Sequence, residues 1–359
     1  MTTRRGFLVS LFAAGAGAAA PSLGWAAAGS PAYLAAAKEP DGGFALFGLS
    51  ADGAETLRVP LPARGHAGAG HPSRPEAVAF ARRPGAFALV LDCAAGAVMH
   101  RLTPPGGRQF NGHGVYDPTG ELLFTSEQVA DGSAGRIGVW DVADGYVRLD
   151  EFATGGIGPH DLRLMPEGAT LVVANGGIET DPTDRTKLNV ESMTPSLAYL
   201  SLDGALQERV DLGPDLAQSS IRHLALRDDG LVAFAMQWEG PTGAAVPLLG
   251  LHRRGAAPVL ASAPLADELA MQGYAGSVAW AGDGTEVAIS SPKGGRLHRF
   301  GPDGVFLGAV SRADVCGLAP RGTGLLASDG LGGLIAVEAG APAALGRMDR
   351  AWDNHIVAL

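Results

Sequence analysis

The feature that most constrains this chain is a unit that recurs six times: a short apolar run, a turn carrying glycine, then a second apolar run ending in a polar residue. The copies read EAVAFARRPGAFALVLD from Glu76, HGVYDPTGELLFTSE from His113, HDLRLMPEGATLVVAN from His160, HLALRDDGLVAFAMQ from His223, SVAWAGDGTEVAISS from Ser277 and CGLAPRGTGLLASD from Cys316. Their turn glycines are Gly85, Gly120, Gly168, Gly230, Gly284 and Gly322. Apolar runs this short on either side of a turn read as β-hairpins, and hairpins repeated at this spacing read as four-stranded propeller blades. In each copy the two runs supply the inner strands A and B. The next two runs along the chain supply C and D, as in RIGVWDV then YVRLDEF. The 53 glycines and 24 prolines suit many short strands joined by tight turns.

The two ends of the chain complete a seventh unit. Asn354 to Leu359 reads as an isolated A strand, while Ala32 to Lys38, Phe44 to Leu49 and Glu55 to Leu61 supply B, C and D. Pairing the C-terminal strand with the N-terminal ones closes the ring and removes the exposed sheet edges of an open array. The expectation is an all-β, seven-bladed β-propeller over residues 29–359. A solenoid or sandwich gives no reason for the last residues to begin a unit that the first residues finish. One long polar insertion, Gly176 to Pro195, falls where a B strand hands over to C, and a loop of that length in a compact repeat is usually functional.

The N-terminus carries the pair Arg4-Arg5 and then a short apolar run, Phe7 to Ala20, too short and too rich in small residues to span a bilayer. Residues 1–28 are therefore expected to be a twin-arginine signal peptide cleaved after Ala26-Ala27-Ala28, and the folded product is expected in the periplasm. No other stretch reaches the length of a membrane helix. A formal charge of −10 argues against a nucleic-acid partner. With only Cys93 and Cys316 there is no disulfide framework, covalent haem motif or paired zinc motif. A nucleophile elbow, P-loop and dinucleotide fingerprint are also missing from the sequence.

The nine histidines are distributed unevenly. His113, His223 and His355 fall at or just before the first residue of an expected A strand, as does His160, one residue further from its glycine. His66 falls in the D-to-A connection before the blade of Glu76. A strands line a propeller's central channel, so five of seven blades send an imidazole towards one mouth of it. The B strands end beside that mouth, at Lys38 and Glu39, Asp92, Glu127, Asn175, Gln237, Ser291 and Asp329. Imidazoles suit iron, copper, zinc and nickel, and carboxylates complete a coordination sphere or orient an imidazole. The candidate ligands are thus His66, His113, His160, His223 and His355. Glu127, Asp161, Asn175, Glu179, Arg222, Cys316 and Asp329 are expected as supporting groups or alternative ligands. Cys316 reads either as a soft ligand or as a small buried hydrophobe. His100, His252 and His298 on outer strands, and His71 in a loop, stand apart.

The stretches FNGHGVYDPTGELLFTSE, GIGPHDLRLMPEGATLVVANGGIET, RTKLNVESMTPSLAYL, SIRHLALRDDGLVAFAMQ, GLHRRG, ADVCGLA and WDNHIVAL resemble a family of twin-arginine-exported proteobacterial propellers of unknown function. The likeness covers nearly the whole mature chain. Its members are commonly encoded beside imelysin-type and di-haem proteins in loci thought to serve iron acquisition. The resemblance implies a periplasmic iron role with those neighbours as partners, and with the channel-mouth histidines the expectation is a binding protein for iron, haem iron or copper more readily than an enzyme. Two alternatives stay open. One is a lactonase-like metal-dependent hydrolase using Glu76, Asn175 and Asp329, by analogy of fold alone. The other is a scaffold that docks periplasmic partners through the 176–195 loop.

Overall fold

The computed structural model describes residues 24–82 and 87–359; the expected twin-arginine segment ahead of Gly24, and Gly85, lie outside them. The described chain forms seven four-stranded antiparallel sheets, and the innermost strands of successive blades touch one another in cyclic order around a central axis. This is a seven-bladed β-propeller. The first blade is closed as the termini suggest: Ala351–Ala358 pairs with Tyr33–Lys38, which pairs with Phe44–Leu49 and then Glu55–Leu61. Ahead of it, Gly24–Ala28 forms a short 3-10 turn whose Trp25 indole N–H donates to the His71 carbonyl at 3.0 Å. Among the described residues no helix is long and apolar enough to cross a membrane.

The recurrent turn glycine has a conformational cause. Gly120, Gly168, Gly230, Gly284 and Gly322 all take φ between +53° and +83°, a region in which a side chain is strained, so the A–B hairpins close best around glycine. Between neighbouring blades the strands bury their apolar faces in seven separate clusters, one to each interface of the ring. Phe80 and Val90 of one blade meet Phe110 and Trp140 of the next, for example. Each large side chain buried in this way stabilises by about 1.5–3 kcal/mol. The D strands Leu206–Asp211 and Ala341–Arg347 are largely exposed.

One blade differs from the sequence expectation. Glu76–Ala81 and Ala88–Asp92 are its B and C strands, and its A strand is Gly65–Gly70, so His66 lies on an inner strand and Asp92 ends an outer one. The sequence GHAGAG has too little side-chain bulk to read as a strand, yet crowding against the adjoining B strands requires it. A Cβ on Gly65 would stand 2.9 Å from the Ala36 Cβ, and one on Gly68 3.1 Å from the Val78 carbonyl.

The insertion leaves the B strand Thr170–Asn175 and returns at Ser196–Ser201. It doubles back through a Thr180–Lys187 bridge. Gln109 donates to the Pro182 carbonyl at 2.9 Å from one neighbouring blade, Gln218 to the Val190 carbonyl at 3.3 Å from the other side, and Lys187 pairs with Glu239.

Candidate metal centre

A regular inner strand alternates its side chains between its two neighbouring blades, which would send every second residue into an apolar cluster. The histidines escape this alternation through β-bulges. Pairing with the B strand slips at His66 and Ala67 opposite Phe80, at Asn111 to His113 opposite Ser126, and at His160 and Asp161 opposite Ala174. It slips again at Arg222 beside His223, and at Asp353 to His355 opposite Ala36. A bulge inserts backbone without a partner and re-aims the side chain it carries. Thus His113, His223 and His355 sit well inside their A strands, at or beside the bulge, rather than at the strand starts expected from sequence, while His160 is the second residue of its strand and His66, expected in a connection, is the second residue of Gly65–Gly70. The inner strand Ser277–Trp280 pairs without a slip and carries no histidine.

The five rings form one buried plate across the axis. His113 is central, with ring centroids 5.0 Å from His66, 4.8 Å from His160, 5.8 Å from His223 and 4.9 Å from His355. Around it, His66 and His355 are 4.6 Å apart, His355 and His223 4.7 Å, and His223 and His160 4.8 Å. None is more than 8% exposed. Gly112 makes the approach of His66 possible: it holds φ +96°, and a Cβ there would stand 2.6 Å from His66 Cδ2.

Five buried ring nitrogens have no hydrogen-bond partner: His66 Nδ1, His113 Nε2, His160 Nδ1, His223 Nδ1 and His355 Nε2. Unpaired polar atoms at this density are costly without a ligand. Two trios, His66–His113–His160 and His113–His223–His355, each bring one ring nitrogen per residue within 4.8 Å of the others. Their common member has a fixed tautomer. Asp161 Oδ1 lies 3.2 Å from His113 Nδ1, while Asp161 Oδ2 accepts from the Leu224 N–H at 3.0 Å and faces Arg163 at 3.3 Å. Burial alone would raise Asp161, but the charges of Arg163 and then His113 hold it well below the usual carboxylate range. An ionised carboxylate only accepts, so Nδ1 of His113 donates to it and Nε2 is the nitrogen turned to the plate.

The rings of His66, His160, His223 and His355 are held neutral at ordinary pH. Burial first, then the charges of neighbouring imidazoles, push His66, His160 and His355 well below the usual value, and burial followed by His113 pushes His223 down to about 3. A neutral imidazole is the form that coordinates a cation.

Two small cavities flank the plate. One of about 30 Å³ touches His113, His223, His355, Asp161 and Arg163, and opens towards a funnel of about 700 Å³ at the far ends of the inner strands. The other, about 80 Å³, lies on the side where the inner strands begin and is lined by His66, His160 and His223 together with Arg82, Arg185 and Arg222.

The remaining candidates are placed elsewhere. Glu127 is wholly buried, bound by both terminal nitrogens of Arg148 at 2.8 and 2.9 Å and by the Thr125 hydroxyl at 2.6 Å. Asn175 donates to the Thr154 carbonyl and Ser196, and Asp329 is taken up by Arg312 and the backbone of Leu331 and Gly333. Glu179 belongs to the insertion, where its backbone N–H bonds Asn189. Cys316 occupies a bulge equivalent to the histidines, but its Sγ sits against the carbonyls of Asp353, Ser328 and Trp352 within an apolar cluster, and burial pushes its thiol up to about 12. Its placement is that of a small buried hydrophobe. The lactonase-like trio is dispersed too, since Glu76 accepts from the Tyr146 hydroxyl at 3.0 Å and faces Arg74. Of the supporting candidates, Asp161 and Arg222 adjoin the plate. Arg82, Asn111, Arg185 and Asn354 adjoin it as well without any signal in the repeat, although Asn354 immediately precedes a plate histidine and Asn111 stands two residues before one.

A family model described as "Protein of unknown function (DUF1513)" matches residues 59–359, and the chain belongs to that family. No curated protein matches it in sequence. Among solved structures it is similar to the hydrazine synthase of Kuenenia stuttgartiensis, with TM-score 0.60 and 15% identity, over 89% of this chain and 96% of that one. At that identity the likeness extends to the fold alone.

Proposed function

We propose that this member of DUF1513 is a metal-handling protein that binds one transition-metal ion in its histidine plate. The observation that carries this is the packing of five buried histidines from five blades into two trios, each with one ring nitrogen per residue within 4.8 Å of the others, four of the five rings being kept neutral by burial. An all-imidazole donor set with a carboxylate behind one ligand suits iron, copper, zinc or nickel and not magnesium or calcium. Because His113 Nδ1 is committed to Asp161, its Nε2 serves one of the two trios at a time, so the stoichiometry is one ion per chain. The cavities beside the plate, about 80 and 30 Å³, favour a bare ion over haem, since pockets for ligands of that class run to roughly 300 Å³ or more. A periplasmic setting and a part in iron acquisition beside imelysin-type or di-haem proteins belong to the same proposal.

The test is elemental analysis of tag-free protein, followed by titration of chelator-treated protein with Fe(II), Cu(II) and Zn(II). One equivalent is expected to bind, with at least tenfold weaker affinity in His113→Ala and no change in His298→Ala. Failure of all three ions to bind would overturn it, as would a His113→Ala variant that binds like the parent.

A further inference from the structure

The turn Gly24–Ala28 is packed into the propeller, although the sequence places it inside the segment to be removed on export. Trp25 lies against the apolar cluster between the first two blades, and its indole N–H donates to the His71 carbonyl at 3.0 Å. Ala28 belongs to the same cluster and is 5% exposed. His71 directly follows the A strand Gly65–Gly70, which carries His66. That strand has little bulk of its own, and a Cβ on Gly70 would stand 3.4 Å from the Trp25 ring and closer still to Leu359. Trp25 thus supplies, from outside the repeat, apolar surface that this inner strand lacks.

The bond expected to be cut, Ala28–Gly29, is held in a conformation that a peptidase cleft does not take. The Gly29 N–H donates to the Ala26 carbonyl at 3.2 Å and the Ser30 N–H to the Trp25 carbonyl at 2.9 Å, which closes a tight turn around that bond. Gly29 and Ser30 both have left-handed backbones, with φ of +81° and +53°. Peptidases bind their substrates extended, as an added strand. To present Ala28–Gly29 in that form, the turn must unwind, Ala28 must leave its cluster and Trp25 must release His71. The twin-arginine export expected of this chain delivers it already folded, so these contacts exist before a peptidase meets it. A second small-x-small sequence, Ser22-Leu23-Gly24, lies just upstream. The contacts above all involve residues from Trp25 onward, so a cut after Gly24 leaves the docked turn whole. Ala18-Ala19-Ala20 is followed directly by Pro21, whose ring excludes a cut there.

We propose that a signal peptidase cuts this chain after Gly24 and not after Ala28, so that the exported protein begins at Trp25 and keeps the docked turn. Water adds across the Gly24–Trp25 peptide bond, leaving a carboxylate on Gly24 and an α-ammonium group on Trp25. The processing site rests on the expected export and is independent of the metal proposal. Its consequence for the fold is that the tryptophan bracing the blade of His66 stays in the working protein.

The test is expression of the full-length chain, with its own leader, in a bacterium that has twin-arginine export, followed by intact mass and N-terminal sequencing of the periplasmic product. A product beginning at Trp25 is expected. Ala26→Glu puts a charge on an exposed residue where a cut after Ala28 requires a small one, and should leave processing at Trp25 unchanged. Ser22→Glu does the same to the cut after Gly24 and should leave the precursor uncleaved. In the exported protein, Trp25→Ala should lower the melting temperature by roughly 2–4 °C. A product that begins at Gly29, one that retains Met1, or a chain that is never exported would overturn the proposal. So would a block of processing by Ala26→Glu, or a Trp25→Ala variant that melts with the parent, since the turn would then not be held against the blades.

Discussion

Four imidazoles buried in the neutral state make a quantitative demand on stability against pH. His66, His160, His223 and His355 have folded pKa values below the unfolded value of about 6.5, so between the two values the unfolded chain binds more protons than the folded one. Stability is therefore greatest above about pH 6.5 and falls as pH drops towards the folded values. For His223, held at about 3, the linkage integral from about pH 8 to about pH 5.5 is roughly 1.4 kcal/mol. His66, His160 and His355 are shifted in the same sense and add to that loss, against a total stability of about 5–15 kcal/mol for a typical domain. Glu268, which burial raises to about 7, works in the opposite sense, so a single-site difference is the cleaner measurement. Urea unfolding of chelator-treated protein at about pH 8 and about pH 5.5 should show a loss that is smaller by about 1.4 kcal/mol in His223→Asn than in the parent. A parent whose stability is equal at both pH values, or a His223→Asn variant with the parent's full pH dependence, would show that the plate is already protonated or solvated and would remove the neutral-ligand argument.

Three further outcomes are expected. Asp161→Asn removes the carboxylate that fixes the His113 tautomer and should lower metal affinity about 10–100-fold, measured by competition with a chromogenic chelator. Gly112→Ala forces a side chain into φ +96° and against His66, which should cost about 1–3 kcal/mol in denaturant unfolding and weaken metal binding, whereas alanine at the solvent-facing Gly106 should do neither. Cys93 and Cys316, both buried and both raised to about 12, should fail to react with a thiol reagent at about pH 8 in the native protein and react fully once it is unfolded.

The sequence alone determined the architecture, because blade number and ring closure rest on local signals. The hairpins announce themselves through short apolar runs and turn glycines that only a left-handed backbone explains, and a strand orphaned at Asn354 finds its partners at Tyr33. His113, His160, His223 and His355 were legible for the same reason, each keeping its place in the repeat to within a residue, whereas His66 was read as part of a connection. Tertiary structure alone decided where those side chains point. The A strand Gly65–Gly70 was hidden because crowding against the adjoining B strands strips it of the bulk by which strands are recognised. Bulges turn His113 towards the plate while the equivalent Cys316 turns into an apolar cluster, a difference set by pairing register between strands and by the neighbouring blade, not by residue type. Glu127, Asn175 and Asp329 are spent on local partners that no repeat alignment reveals. The arginine cavity was equally out of reach, since Arg82, Arg185 and Arg222 occupy unrelated repeat positions and meet only because a 20-residue insertion, 176–195, folds back over the axis. Periodicity along the chain fixes which strands exist, whereas convergence across the axis depends on non-local registry and crowding, which periodicity does not encode.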